Sequence, residues 1–267
     1  MKAAVRSRDS IFVKRKRTFT LALLAVLGLF ALASAVTRYD PAAGITSLPK
    51  AAAWMAQNLI PDQKALSRLP NITAKLLQTA LLSVAVTVTA AVCSFFFSLL
   101  GSKTTQLNAV LARAVRMVAA FFRNVPDVVW AILLLFSFGQ NILTGFFALF
   151  FTTFGMLTRT FIETIDEVSG ECVEALRATG ATYMQTVFQG IVPASLSEIV
   201  TWVLFMIETN IRSSTLIGIL TATGIGYLFD LYYKRLDYPS ASLVVFSIVA
   251  LVIGLEVLSG KIRKVIM

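Results

Sequence analysis

Residues 72–100 read ITAKLLQTALLSVAVTVTAAVCSFFFSLL, 29 residues in which Lys75 is the one charge. A helix needs about 20 predominantly apolar residues to cross about 30 Å of hydrocarbon. The run exceeds that length and predicts a membrane span, closed by Gly101, Ser102 and Lys103. Outward from it lie further apolar runs at 18–36, 107–138, 141–158, 194–229 and 239–259. Across the 267 residues, 57% are hydrophobic, 14% are charged, 20 are Phe, and the mean hydropathy is +0.78. Soluble domains carry roughly a quarter charged residues. The expectation is an all-α, polytopic membrane protein with about six transmembrane helices.

Two of these runs are interrupted. The stretch 107–138 is too long for one straight span and is predicted to break at Arg123-Asn124-Val125-Pro126-Asp127. There Asn124 reads as a helix start, with Pro at an early position and Asp127 in the first turn. The run 194–229 is predicted to break at Glu208-Thr209-Asn210-Ile211-Arg212-Ser213-Ser214. Residues 37–71 hold four of the seven prolines and predict an external loop, relieved only by a short interfacial helix over Ala51–Leu59. Residues 159–192 form the longest polar stretch after it, amphipathic and without a run able to span. The chain thus divides into 1–71, holding a basic tail, a first span and the external loop, and a core over 72–267.

Charge sets the topology. Met1 to Arg17 carries seven Lys/Arg against one Asp and reads as a cytoplasmic anchor for the span 18–36. Ala33-Ser34-Ala35 resembles a signal cleavage site, but the apolar run is longer than a usual signal core. Six spans place both termini and the loops 101–116 and 159–192 on one side, with fifteen Lys/Arg against six on the other. The positive-inside rule then supports both termini in the cytoplasm, with Lys234-Arg235 as the exception.

The net charge of +10 does not point to nucleic acid, because the basic residues cap apolar runs and form no aromatic-interleaved stripe. The absence of His removes the commonest general base and a principal metal ligand, so carriage is favoured over catalysis and no catalytic or metal site is assigned. Cys93 and Cys172 read as structural. No Gly-x-x-x-x-Gly-Lys-Ser/Thr motif occurs, so ATP hydrolysis is not assigned to this chain.

In the polar stretch, Glu174-Ala175-Leu176-Arg177-Ala178-Thr179-Gly180 is followed thirteen residues later by Pro193. A carboxylate and small residues on one helical face permit close seating against a partner, and Gly supplies backbone freedom at a corner. The segment resembles the Glu-Ala-Ala...Gly...Leu-Pro signature of ABC importer permeases. Leu176 stands in place of the second alanine, and Gly190 and Val192 in place of aliphatic residues before the proline. Phe122 to Ala131, Glu174 to Ala181, Glu208 to Ser214 and Gly224-Ile225-Gly226 are each similar to segments of the phosphonate branch, a likeness extending over about 72–267. Ala222-Thr223 stands where that branch has Ala-Gly.

The resemblance implies a type I ABC importer permease fold working by alternating access, with a phosphonate, phosphite or phosphate as cargo. The loop at about 159–192 becomes a coupling loop, in which Glu174, Ala175, Gly180 and Pro193 dock on an ATPase. The implied partners are an ABC ATPase dimer carrying ATP and Mg, and a periplasmic or surface-anchored phosphonate-type solute-binding protein. Six spans are few to enclose a passage, so a second permease chain, the same or related, is also expected, besides membrane lipid. This chain is expected to bind no cofactor of its own. Importers of methionine and quaternary amines share the docking motif and remain an alternative for the cargo. An intramembrane enzyme finds no His to act as base, and an ATP-independent channel would not need the docking segment.

Ionisable residues in spans are costly and face a protein interior or a water-filled cavity. Arg123 has Asp127, and Arg212 has Glu208, four residues away, a neighbouring position wherever helix continues. Two readings stay open. The pairs neutralise each other and fix broken helices, or they line a translocation route, with Asn124, Asn210, Ser213 and Ser214 as neutral donors and a helix start near Pro126 favouring an anion. Gly218, Gly224 and Gly226, with Ser213, Ser214 and Thr223, form a small-residue face suited to close helix packing. Trp54, Trp130, Trp202 and Tyr232-Tyr233 read as interfacial or packing residues.

Overall fold

A computed structural model describes the backbone of residues 2–168 and 170–266, and the side chains of 14–168, 170, 173–176 and 178–264. Cys172 and most of the basic tail therefore have side chains outside the described residues. The chain divides into two compact units, 1–58 and 59–267.

The first unit holds α1 (Lys2–Thr37) and α2 (Pro41–Asn58). The predicted loop over 37–71 is corrected here, since 18 of its residues form a continuous helix. The Asp40 carboxylate accepts from the amides of Ala42 (2.9 Å) and Ala43 (3.2 Å), satisfying donors that a helix start leaves orphaned. Pro41, the first helical residue, has a φ already suited to that place. Pro49 removes one donor inside α2 without ending it.

The second unit begins with α3 (Gln63–Ser67) and α4 (Leu69–Gly101), followed by α5 (Ala109–Asn124), α6 (Asp127–Phe138) and α7 (Ile142–Val168). Then come α8 (Gly170–Ala178), α9 (Tyr183–Gln185), a π-helical turn (Thr186–Ile191), α10 (Val192–Thr221), α11 (Gly224–Lys234) and α12 (Tyr238–Ile266). Among the described residues, five helical stretches are long and apolar enough to span a membrane. The α5–α6 pair, bent by 88°, makes a sixth if the two count as one broken span.

At the centre lies α4, whose inward face is polar. Thr79, Ser83, Thr87, Ser94 and Ser98 are buried at three- and four-residue steps, with Val86 and Ala90 between, while Leu77, Leu81 and Val88 are exposed. This inverts a soluble helix. Hydrocarbon solvates leucine as well as a protein core does, whereas hydroxyls gain most by bonding across helices. Ser83 donates to Ser214 (3.1 Å), Ser94 to the Phe154 carbonyl (3.1 Å), and Thr158 to Ser94 (3.1 Å). Apolar clusters fill the intervals: Ala90 with Phe154, Leu157, Phe161, Ile199 and Met206, and Val86 with Ala131, Leu149 and Ile217.

Two predicted ends move. The span 141–158 continues as helix to Val168, because past Arg159 it still buries one face, with Phe161, Ile162 and Ile165 packed inside and the Arg159–Glu163 pair on the exposed side. The run 194–229 does not break at 208–214. There α10 is continuous, with Glu208 and Arg212 paired one turn apart (3.2 Å). The break falls instead at Ala222, which ends α10 in the left-handed conformation (φ 55°).

Residues 59–71, grouped in the sequence with the first span, pack with the second unit. Arg68 pairs with Asp237 and lies 4.8 Å from the Tyr232 ring centroid. Burial works to raise the Asp237 carboxyl, but hydrogen bonds from Ser240 and Arg68 and the charge of Arg68 outweigh it and hold the group below the usual carboxylate range.

Candidate functional site

Two regions gather the residues singled out in the sequence. The first is the segment from α8 to the start of α10. One face of it is apolar and buried, with Val173, Val187 and Ile191 packing on Ile165 of α7, flanked by Leu99 and Val192. The opposite face is exposed and carries Glu174, Ala175 and Gly180, with Pro193 exposed at the first turn of α10. Gly180 has φ 83° and nothing within 4 Å of where a Cβ would lie, so its role is conformational: it turns the chain between α8 and α9. The Ala181 amide reaches back to the Leu176 carbonyl (3.1 Å), closing the helix end as a Schellman-type cap does.

Helix, glycine corner and second helix thus follow in the predicted order. Beyond the corner the second helix opens with a capping box between Thr182 and Gln185. Sequence reasoning passed over Met184 and Phe188, which are 62% and 59% exposed and four residues apart. Their signal was available: apolar side chains in a polar loop, at helical spacing.

The second region lies within the spans. Arg123 and Asn124 end α5, Val125 is extended, and α6 starts at Asp127. Asn124 therefore finishes one helix and does not cap the next, which has no side-chain cap. Asp127 is half-buried, and its carboxylate accepts from the Val128 amide (3.0 Å). The predicted Arg123–Asp127 pair is absent among the described residues, because the break between them removes the helical register that would bring them together. Arg123 is exposed. Its backbone lies against Gly155, where a Cβ would come within 2.5 Å of the Arg123 nitrogen. Gly155 is the middle residue of α7, so the break lies against the midpoint of that helix. Phe122, Trp130 and Phe151 pack together with centroids 4.9–5.5 Å apart and fix the bend.

On α10, Arg212 is 52% exposed while its partner Glu208 is 15% exposed, so the pair leaves the guanidinium outward. Asn210 faces the other way and is 3% exposed. Its amide donates to Thr87 of α4 (2.8 Å) and Thr153 of α7 (3.0 Å), knotting three helices within about a turn of their midpoints. Ser214 is also buried, bonded to Ser83, and Ser213 is half-buried. Arg123, Asn124 and Arg212 thus face outward, and Asn210 and Ser214 are consumed in packing, because their short polar groups find partners inside the bundle.

The glycines act as the sequence suggested. A Cβ at Gly226 would lie 1.9 Å from the Thr215 carbonyl oxygen, and one at Gly218 2.5 Å from that of Thr223, so α10 and α11 touch backbone to backbone. No cluster of His, Cys, Asp and Glu able to hold a metal occurs among the described residues.

Among the described residues the chain is helical, with five or six candidate membrane spans, one of them broken between α5 and α6, and a helix–corner–helix segment between α7 and α10, the architecture expected of a transport permease. Residues 98–263 match the model of the binding-protein-dependent transport system inner membrane component, and the chain belongs to that family. A phosphate-import permease from Mycolicibacterium smegmatis is 29% identical over 71% of the chain, although the chain spans only 36% of that relative's length. A phosphite transport permease from Stutzerimonas stutzeri is 28% identical over 82% of the chain and 79% of its own length. The fold is that of an ABC importer permease. The MetNI methionine ABC transporter in an inward-facing conformation superposes with a TM-score of 0.61 at 20% identity, covering 74% of this chain and 98% of that one. An amino acid ABC transporter superposes with 0.64 at 15% identity, covering 74% and 95%.

Proposed function

We propose that this chain passes a phosphorus oxyanion (a phosphonate, phosphite or phosphate) across the membrane, opening alternately to each side under ATP drive. The observation that carries the cargo class is Arg123, exposed at the break between α5 and α6 of a candidate span and without a carboxylate partner among the described residues. A guanidinium within a span is costly unless it faces water or an anion, and its planar donors suit a tetrahedral oxyanion. Arg212, Asn124 and Ser213 extend the lining, with Asp127 and Glu208 setting the local charge. The phosphate and phosphite permeases among the relatives support the same class.

Glu174, Ala175, Gly180 and Pro193 seat the chain on an ABC ATPase dimer, which carries ATP and Mg, while this chain binds no cofactor. A solute-binding protein, periplasmic or surface-anchored, selects the cargo, and a second permease chain completes the passage. Both termini are cytoplasmic, as the Lys/Arg asymmetry favours.

The test is ATPase stimulation of the reconstituted complex across alkylphosphonates, phosphite, phosphate, methionine and glycine betaine. Stimulation confined to the phosphorus oxyanions is expected. Stimulation by methionine or betaine alone would keep the importer and discard the oxyanion. Deleting 170–191 should abolish ATPase binding and uptake together; uptake surviving that deletion would indicate an ATP-independent channel.

A further inference from the structure

The segment from α8 to the start of α10 is tied to the turn between α4 and α5. The Tyr183 hydroxyl, three residues past the Gly180 corner, donates to the Thr105 carbonyl (3.1 Å) across 78 residues of sequence. The turn that receives it is itself held. Asp166 of α7 accepts from the Ser102 hydroxyl (2.5 Å) and the Lys103 amide (2.7 Å), and the Thr105 hydroxyl donates back to the Leu99 carbonyl (2.6 Å). On its far side the turn leads into α5, whose first turn is capped by Asn108 (2.8 Å to the Val110 amide). Arg116 of α5 donates to the Gly101 carbonyl (2.8 Å). At Gly101 a Cβ would come within 2.5 Å of the end of the Ile162 side chain, so α4 and α7 are packed closely there.

We infer that Tyr183 and Asp166 are positioning residues for energy coupling: they fuse the coupling segment to the α4–α5 turn, so that displacement of the segment moves α5 as a lever. The lever is 16 residues long, about 24 Å at 1.5 Å per residue, and Arg123 lies at its far end, at the α5–α6 break. A turn with free hydroxyls and amides would absorb a push by bending. One bonded on three sides hands it on. Neither residue touches cargo in this scheme, and Tyr183 acts through Thr105 while Asp166 acts through Ser102 and Lys103.

The inference rests on the proposed docking to an ATPase, and the two fail separately. A wild-type complex in which no ATPase associates would end the docking reading before any variant was compared. The experiment uses the full complex with its ATPase and solute-binding protein in proteoliposomes, and measures phosphite taken up per ATP hydrolysed. Tyr183→Phe keeps the ring and removes the bond. It should still co-purify with the ATPase and keep basal hydrolysis, while uptake per ATP falls about 2- to 30-fold, the range of coupling changes seen along packed networks. Asp166→Ala should fall similarly, and Asp166→Asn, which keeps one acceptor oxygen, should retain more coupling than Asp166→Ala. Unchanged uptake per ATP in Tyr183→Phe would overturn the inference. Loss of ATPase binding in that variant would overturn it too, since it would place Tyr183 on the docking surface.

Discussion

The two helix breaks of the bundle are built in opposite ways. Between α5 and α6 the chain turns by 88° at Val125-Pro126, and the break is open, leaving Arg123 and Asn124 exposed. Between α10 and α11 it turns at Ala222-Thr223, and the break is sealed, with Gly218 and Gly226 letting the two helices touch. The first exposes charge at the break, and the second hides backbone. A proline break needs no neighbour to exist, because the ring removes a donor and clashes with the preceding turn. A break at a left-handed alanine exists only because the packing around it holds the chain there.

The contrast can be broken most severely at Gly226. Gly226→Ala would drive a Cβ to 1.9 Å from the Thr215 carbonyl. The expected cost is about 3 kcal/mol or more, read as a large fall in melting temperature or loss of the purified complex. A stable Gly226→Ala protein would mean that α11 is free to move away from α10. Next comes Arg123→Ala, which should leave melting unchanged and lower kcat/KM for uptake about 10- to 100-fold, the loss of one charge-assisted recognition group. A parallel loss of stability would instead assign Arg123 to holding the bend. The smallest effect is expected at Ala222, where φ is 55°. Ala222→Gly relieves the left-handed strain but loosens the unfolded chain, for a net gain of up to about 1 kcal/mol by thermal denaturation.

The same contrast separates what was legible in the sequence from what was not. Pro126 announced its break because proline acts locally, and Gly180 announced its corner for a similar reason. Glu208 to Ser214 looked like an interruption because polar residues in an apolar run read as non-helical. In the bundle those residues are satisfied within α10 and against α4 and α7, and the helix continues. Whether Asn210 faces a passage or a neighbour depends on Thr87 and Thr153, 123 and 57 residues away, which no local pattern reveals. Arg123 and Asp127 failed the other way: their spacing promised a pair that the break between them undoes. The hydroxyl stripe of α4 was legible as a period of three and four, masked by the overall hydropathy of the run. Asp40-Pro41 was a readable helix start, hidden by counting prolines without noting that the first helical turn tolerates them.

The knot that Asn210 makes with Thr87 and Thr153 has a mechanical consequence. A junction near the midpoints of three helices is a fulcrum: tilting about it moves the two ends of the bundle in opposite senses while the junction itself hardly shifts. A tilt of the helices about that point would strain the hydrogen bonds there, 2.8 and 3.0 Å, less than it would strain similar bonds placed near either end of the helices.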